Sequence, residues 1–126
     1  MPARVRARRN ATTFLPQTIG HAMVFVVDMK RSIAFYRDIL GLEPLFESDA
    51  WTEFRTGDAT LALHQSDEAR PRDTGISFNV GNVDDTVGAL VKRGVRIVRP
   101  PAMVTDDVRC AAFADVEGNV IGIAGR

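Results

Sequence analysis

Two imidazoles, His21 and His64, are the only histidines in the chain, and most of its capacity for chemistry rests on them. Neutral imidazole nitrogen is a good ligand for zinc, nickel or iron, and an imidazole titrating near neutrality can act as a general base. Two nitrogens alone leave a catalytic zinc short of the three protein ligands usual there. Glu53, Asp106 and Asp107 are chemically able to complete a set, but nothing in their spacing singles them out. Other routes are poorer. There is no G-x-S-x-G elbow and no glycine-rich phosphate loop, and neither Ser77 nor Cys110 has a base at a recognisable spacing. A single cysteine excludes an internal disulfide and reads as a small core residue. Asp106 and Asp107 follow Pro100-Pro101 in the longest irregular stretch of the second half, and they read as solvated turn formers.

The elements that must position these groups begin at residue 21. Residues 21–27, HAMVFVV, are apolar on both parities, the pattern of a strand covered on both faces. His21, Met23, Phe25 and Val27 share one face, and Ala22, Val24 and Val26 share the other. Asp28 stands where an N-cap belongs. From Met29 the residues Ile33, Phe35, Tyr36, Ile39 and Leu40 recur at helical spacing and predict a helix to Leu40 with a broad buried stripe. Lys30, Arg31, Arg37 and Asp38 take its wet side. Gly41 stops it, because glycine enters the left-handed conformation without a steric cost.

The same module is then written a second time. Residues 75–80, GISFNV, predict a strand. Asn82 follows as a cap, and Val83, Val87, Leu90 and Val91 repeat the helical stripe. Asp84 and Asp85 sit in the first turn and Lys92 and Arg93 in the last, each sign suited to its end of the helix dipole. Gly94 ends the helix. The offset is 54 from Asp28 to Asn82 and 53 from Gly41 to Gly94. Three short strands are expected after each helix: 43–47, 51–56 and 59–64 in the first half, 95–99, 109–114 and 119–124 in the second. Turns fall at Ser48-Asp49, Gly57-Asp58, Pro100-Pro101 and residues 115–118. Each half is therefore a βαβββ unit, giving module one at 18–65, an exposed charged linker at 66–73 and module two at 74–126.

Composition bounds the rest. A chain of 126 residues, 45% hydrophobic, has material for one domain with a real core. No apolar run is long enough for a membrane span and no signal-type segment is present, so a soluble cytoplasmic protein is expected. Residues 1–17 carry Arg4, Arg6, Arg8 and Arg9 with no acidic residue and read as a flexible basic tail. Without these four, 12 basic residues face 16 acidic ones, a net charge of −4. That disfavours nucleic acid and suits a neutral or cationic ligand.

The run DMKRSIAFYRDILGL, with its S-x-A-F-Y-x-x-x-L-G pattern, and the run DVEGNVIGI near the end resemble the vicinal oxygen chelate superfamily. That superfamily contains glyoxalase I, extradiol dioxygenases, and the bleomycin and fosfomycin resistance proteins. The resemblance covers residues 18–126. It implies an α+β fold in which two βαβββ modules form a curved mixed sheet shaped as a cup, and a homodimer with cups near the subunit interface. It also implies that a ligand at the His21 position points into the cup, often onto a divalent metal. The family's further ligand positions fall near Ala62, at Gly75 and at Gly122, none of which carries a donor side chain. His64 lies two residues beyond Ala62 on the same parity.

On this reading the cup is lined by His21, Met23, Phe25, Ala62, His64, Ser77, Asn79 and Gly122, with Trp51 as a flat surface and Phe54 near it on the other parity. Apolar area with a few hydrogen-bonding groups is the composition of a small-molecule pocket. The expected function is metal-independent binding of a small, partly apolar organic molecule, with no cofactor. One alternative is a divalent-metal-dependent lyase or dioxygenase with His21 and His64 as ligands. Another is a metal-free lyase or isomerase with a histidine base.

Overall fold

The computed structural model describes residues 14–68 and 71–126; the basic residues Arg4, Arg6, Arg8 and Arg9 lie outside them. Strand β1 is His21–Val26, and β2, β3 and β4 are Pro44–Phe46, Trp51–Arg55 and Thr60–Gln65. The second half supplies β5 Asp73–Asn79, β6 Arg96–Met103, β7 Arg109–Ala114 and β8 Val120–Gly125. Helix α1 is Met29–Ala34 and α2 is Val83–Lys92.

The strands form two four-stranded mixed sheets, ordered β1-β4-β3-β2 and β5-β8-β7-β6. In each, the first strand runs parallel to the last of its module and the remaining pairs are antiparallel. The duplication read from the sequence is thus a duplication of topology, and the two sheets make an open, curved cup. The edge strands β1 and β5 approach one another at the seam.

Both predicted caps form. The Asp28 carboxylate accepts from the Arg31 amide at 3.0 Å, and the Asn82 side-chain oxygen accepts from the Asp85 amide at 2.9 Å. Gly41 and Gly94 take φ of +78° and +81° as helix stops. Other expectations are corrected. Helix α1 does not run to Leu40; Phe35–Ile39 is a π-helical turn in which the Leu40 amide donates to the Phe35 carbonyl. The wider turn falls where the adjacent Phe35 and Tyr36 both enter the core, at 5% and 0% exposure. Pro100-Pro101 is not a turn. Both prolines lie within β6, an edge strand whose register slips between Arg99 and Ala102; an edge position and a bulge are where a sheet accepts a residue without an amide proton. Asp73, assigned to the linker, is the first residue of β5.

One hydrophobic core serves both modules. Val24, Val26, Phe54, Leu61 and Leu63 from module one join Val83, Leu90, Phe113, Ile121 and Ile123 from module two in a single cluster. The Phe35 ring stands 6.4 Å from Phe113, and Tyr36 stands 6.0 Å from Phe54.

The turn 115–118 clamps the halves together. The Tyr36 hydroxyl donates to Asp115 Oδ2 at 2.7 Å, and Asp115 also accepts from the Glu117 and Asn119 amides, each at 2.9 Å. Glu117 reaches into module one, accepting from the Val27 and Asp28 amides at 2.8 and 2.7 Å and from the Ser32 hydroxyl at 3.3 Å. Asn119 donates to the Phe25 carbonyl at 3.3 Å. The DVEGN run is therefore an intermodule fastening. Burial and the neighbouring Asp115 carboxylate push the Tyr36 hydroxyl well above the usual tyrosine range. Among the described residues no helix is long and apolar enough to cross a membrane.

Candidate functional site

Strand pairing assembles the site. The register sets His21 beside Thr60, Met23 beside Ala62 and Phe25 beside His64, with Glu53 across from Ala62 and Trp51 across from His64. Alternation sends Val24, Val26, Leu61, Leu63 and Phe54 to the core, so these eight residues share the opposite, open face. That face is not covered: Met23 and Phe25 are 38% and 40% exposed, against the expectation that β1 is buried on both sides. Phe54 is wholly buried and contributes core rather than a ligand surface.

Trp51 lies between the two imidazoles. Its ring centroid is 5.4 Å from that of His21, edge to face, and 5.6 Å from that of His64. Phe25 stands 5.3 Å from His64 on the other side, and the Arg72 guanidinium lies 5.7 Å over the Phe25 ring. Ala62, beside Met23 and across from Glu53, has no exposed surface.

A hydrogen-bonded chain fixes this arrangement. The indole Nε1 donates to Glu53 Oε1 at 2.7 Å, the Thr60 hydroxyl donates to Glu53 Oε2 at 3.3 Å, and His21 Nδ1 stands 2.9 Å from Thr60 Oγ1. Glu53 and Thr60 were not among the predicted lining residues. The period-two alternation that puts Glu53 on Trp51's face was readable in the sequence, but Thr60 meets it only through cross-strand register.

Six of the nine predicted residues, His21, Met23, Phe25, Trp51, Ala62 and His64, stand on this face. Ser77, Asn79 and Gly122 are carried by β5 and β8 of the second sheet, and among the described residues no hydrogen bond or ring contact joins them to the first six. Ser77 and Asn79 line a cavity of about 220 Å³ at the seam, with Ala22 and Thr56. A larger apolar cavity of about 420 Å³ lies against the other face of the second sheet, between α2 and Leu40 and Leu42, over Phe78 and Phe113. None of the predicted site residues lines it.

The donor set does not fit a mononuclear metal site. His64 pairs with Phe25, four positions along β1 from His21, and the Trp51 indole stands against both imidazoles. At the other positions implied by the resemblance stand Ala62, Gly75 and Gly122, which offer no donor side chain. Glu53 is held by Trp51 and Thr60. Asp107 stays in the β6–β7 loop, its amide donating to Thr105 Oγ1 at 3.3 Å as a turn former. Among the described residues no three His, Cys, Asp or Glu side chains come together.

Comparison with known proteins is consistent across three kinds of match. A family model described as the Glyoxalase/Bleomycin resistance protein/Dioxygenase superfamily matches residues 18–123. A metallothiol transferase FosB from Staphylococcus haemolyticus is 31% identical over 108 residues, spanning 80% of this chain and 78% of that protein. Among solved structures, a superfamily member from Sphaerobacter thermophilus superposes with a TM-score of 0.77 at 24% identity, over 86% of this chain and 97% of that one. TnmS3, an antibiotic binding protein from Streptomyces sp. CB03234, superposes with a TM-score of 0.73 at 25% identity, over 88% and 97%.

Proposed function

The chain belongs to the Glyoxalase/Bleomycin resistance protein/Dioxygenase superfamily, and from that membership we propose that it binds a small, partly apolar organic molecule on the open face of its first sheet without a resident metal. The observation that carries the reading is the position of Trp51, whose indole occupies the space between the two histidines. A planar ligand laid against Trp51 and Phe25 gains the burial of its own apolar surface, about 25 cal/mol per Å², and about 0.5–1.5 kcal/mol more from ring geometry. The likeness to an antibiotic binding protein supports a role that needs a pocket and no chemistry.

Trp51 is the chain's single tryptophan, so intrinsic fluorescence reports this face alone. Titration with a panel of planar apolar compounds should give saturable quenching in the full chain, lost in Phe25→Ala. Elemental analysis of untagged protein should find metal far below one equivalent, before and after incubation with Ni, Zn, Mn and Fe.

The relationship to the metallothiol transferase favours a second reading, a divalent-metal-dependent enzyme holding its ion through His21 and His64. It requires near-stoichiometric metal that disappears in both His21→Ala and His64→Ala. That result would displace the binding reading.

The proposal extends to a homodimer. The outer strands β2 and β6 expose Leu45, Phe46, Val98 and Met103, apolar side chains on the edges a sheet must otherwise protect. Light scattering should return twice the chain mass of 13.8 kDa.

A further inference from the structure

We infer that Thr60 and Glu53 lock His21 into a single tautomer whose bare Nε2 accepts a hydrogen bond from the ligand, so that the site selects planar aromatic molecules carrying a hydroxyl group. The inference rests on the binding role proposed for this face and names the ligand class. A threonine hydroxyl has one proton to give. Here it goes to Glu53 Oε2 at 3.3 Å, since an ionised carboxylate can only accept. Across the 2.9 Å to His21 Nδ1 the same oxygen must therefore accept, and Nδ1 carries the ring proton. In the neutral imidazole Nε2 is then left with its lone pair.

Glu53 is itself pinned, because its other oxygen takes the Trp51 Nε1 proton at 2.7 Å. The carboxylate, the hydroxyl, the imidazole and the indole are one rigid unit built on three adjacent strands. Among the described residues no donor reaches His21 Nε2, and His21 is exposed on the open face.

A ligand stacked on the Trp51 ring meets His21 at its near edge, where the two ring centroids are 5.4 Å apart. A phenolic O–H directed at Nε2 satisfies it; an ether oxygen cannot, and covering an acceptor without supplying a donor weakens binding. Thr60 and Glu53 act through His21 and are positioning residues.

Two measurements on the ¹⁵N-labelled full chain test this. The first is the tautomer, read from long-range ¹H–¹⁵N correlations at mildly alkaline pH. With only two histidines, a His64→Gln variant completes the assignment. His21 should show the Nδ1–H form, shift toward Nε2–H in Thr60→Val, and return in Thr60→Ser. The second is affinity for a naphthol and for its methyl ether, followed by Trp51 fluorescence. The naphthol should bind about tenfold more tightly, corresponding to about 1.4 kcal/mol, and the ratio should fall toward one in Thr60→Val and in His21→Ala. An Nε2–H tautomer in the native chain overturns the inference. Equal affinities for the two compounds overturn it while leaving the binding reading standing. Failure of both to bind, with the Nδ1–H form present, removes the aromatic ligand class and the Trp51 platform together.

Discussion

Tyr36 has no exposed surface and its hydroxyl donates to Asp115 across the module boundary. Burial raises its pKa, so deprotonation is harder in the folded chain than in the unfolded one. The stability this group contributes is fully present below the unfolded value of about 10 and is lost as pH rises through the higher folded value. As the only tyrosine, it can be titrated by ultraviolet absorbance; ionisation should coincide with alkaline unfolding rather than precede it, and Tyr36→Phe, followed by far-ultraviolet circular dichroism, should show a weaker loss of stability at alkaline pH. At neutral pH the same variant should lose about 1 kcal/mol in urea unfolding, because Asp115 keeps its other donors. Glu117→Ala should cost more, about 2–3 kcal/mol, since it strips partners from two backbone amides and from Ser32 together. None of this was legible residue by residue. The sequence offered His21, His64 and Trp51 as types capable of chemistry, and strand pairing brings the three onto one face. Glu53, Thr60 and Glu117 are ordinary polar residues until distant strands bring their partners to them.

The elements themselves were more legible, because caps, stops and period are local. Asp28, Asn82, Gly41 and Gly94 mark four helix ends by chemistry that acts within one turn. What escaped was tertiary. The π-helical turn at Phe35–Ile39 falls where Phe35 and Tyr36 enter the core, and β6 continues through two prolines because its edge position asks nothing of their missing amides. A tight fit at the end of β8 yields another expectation. A Cβ added at Gly125 would collide with the Val80 carbonyl oxygen, and backbone cannot step aside as a side chain can. Gly125→Ala should therefore destabilise by about 2 kcal/mol in urea unfolding, whereas Gly88→Ala, with open space around it in the middle of α2, should be neutral or stabilising by a few tenths to about 1 kcal/mol.

At the scale of the molecule, the two copies of the module are halves of one body. Their cores merge through Phe35 and Phe113 and their surfaces are fastened by Asp115, Glu117 and Asn119. Urea unfolding followed by Trp51 fluorescence, which reports module one, should coincide with the far-ultraviolet transition that reports both; separated midpoints would show that the fastening is dispensable. The copies have also diverged in a way that cannot be undone by exchanging side chains. The offset of 54 puts Gly75 in the place His21 holds in the first copy, and Gly75 sits at φ +72° in an irregular stretch of β5 between Asp73 and Ser77. A histidine introduced there would carry about 1–2 kcal/mol of backbone strain before it met any ion. A donor side chain at this mirror position is thus held off by the main chain rather than by its neighbours: β5 would have to lose its irregularity before any substitution there could be accommodated without strain.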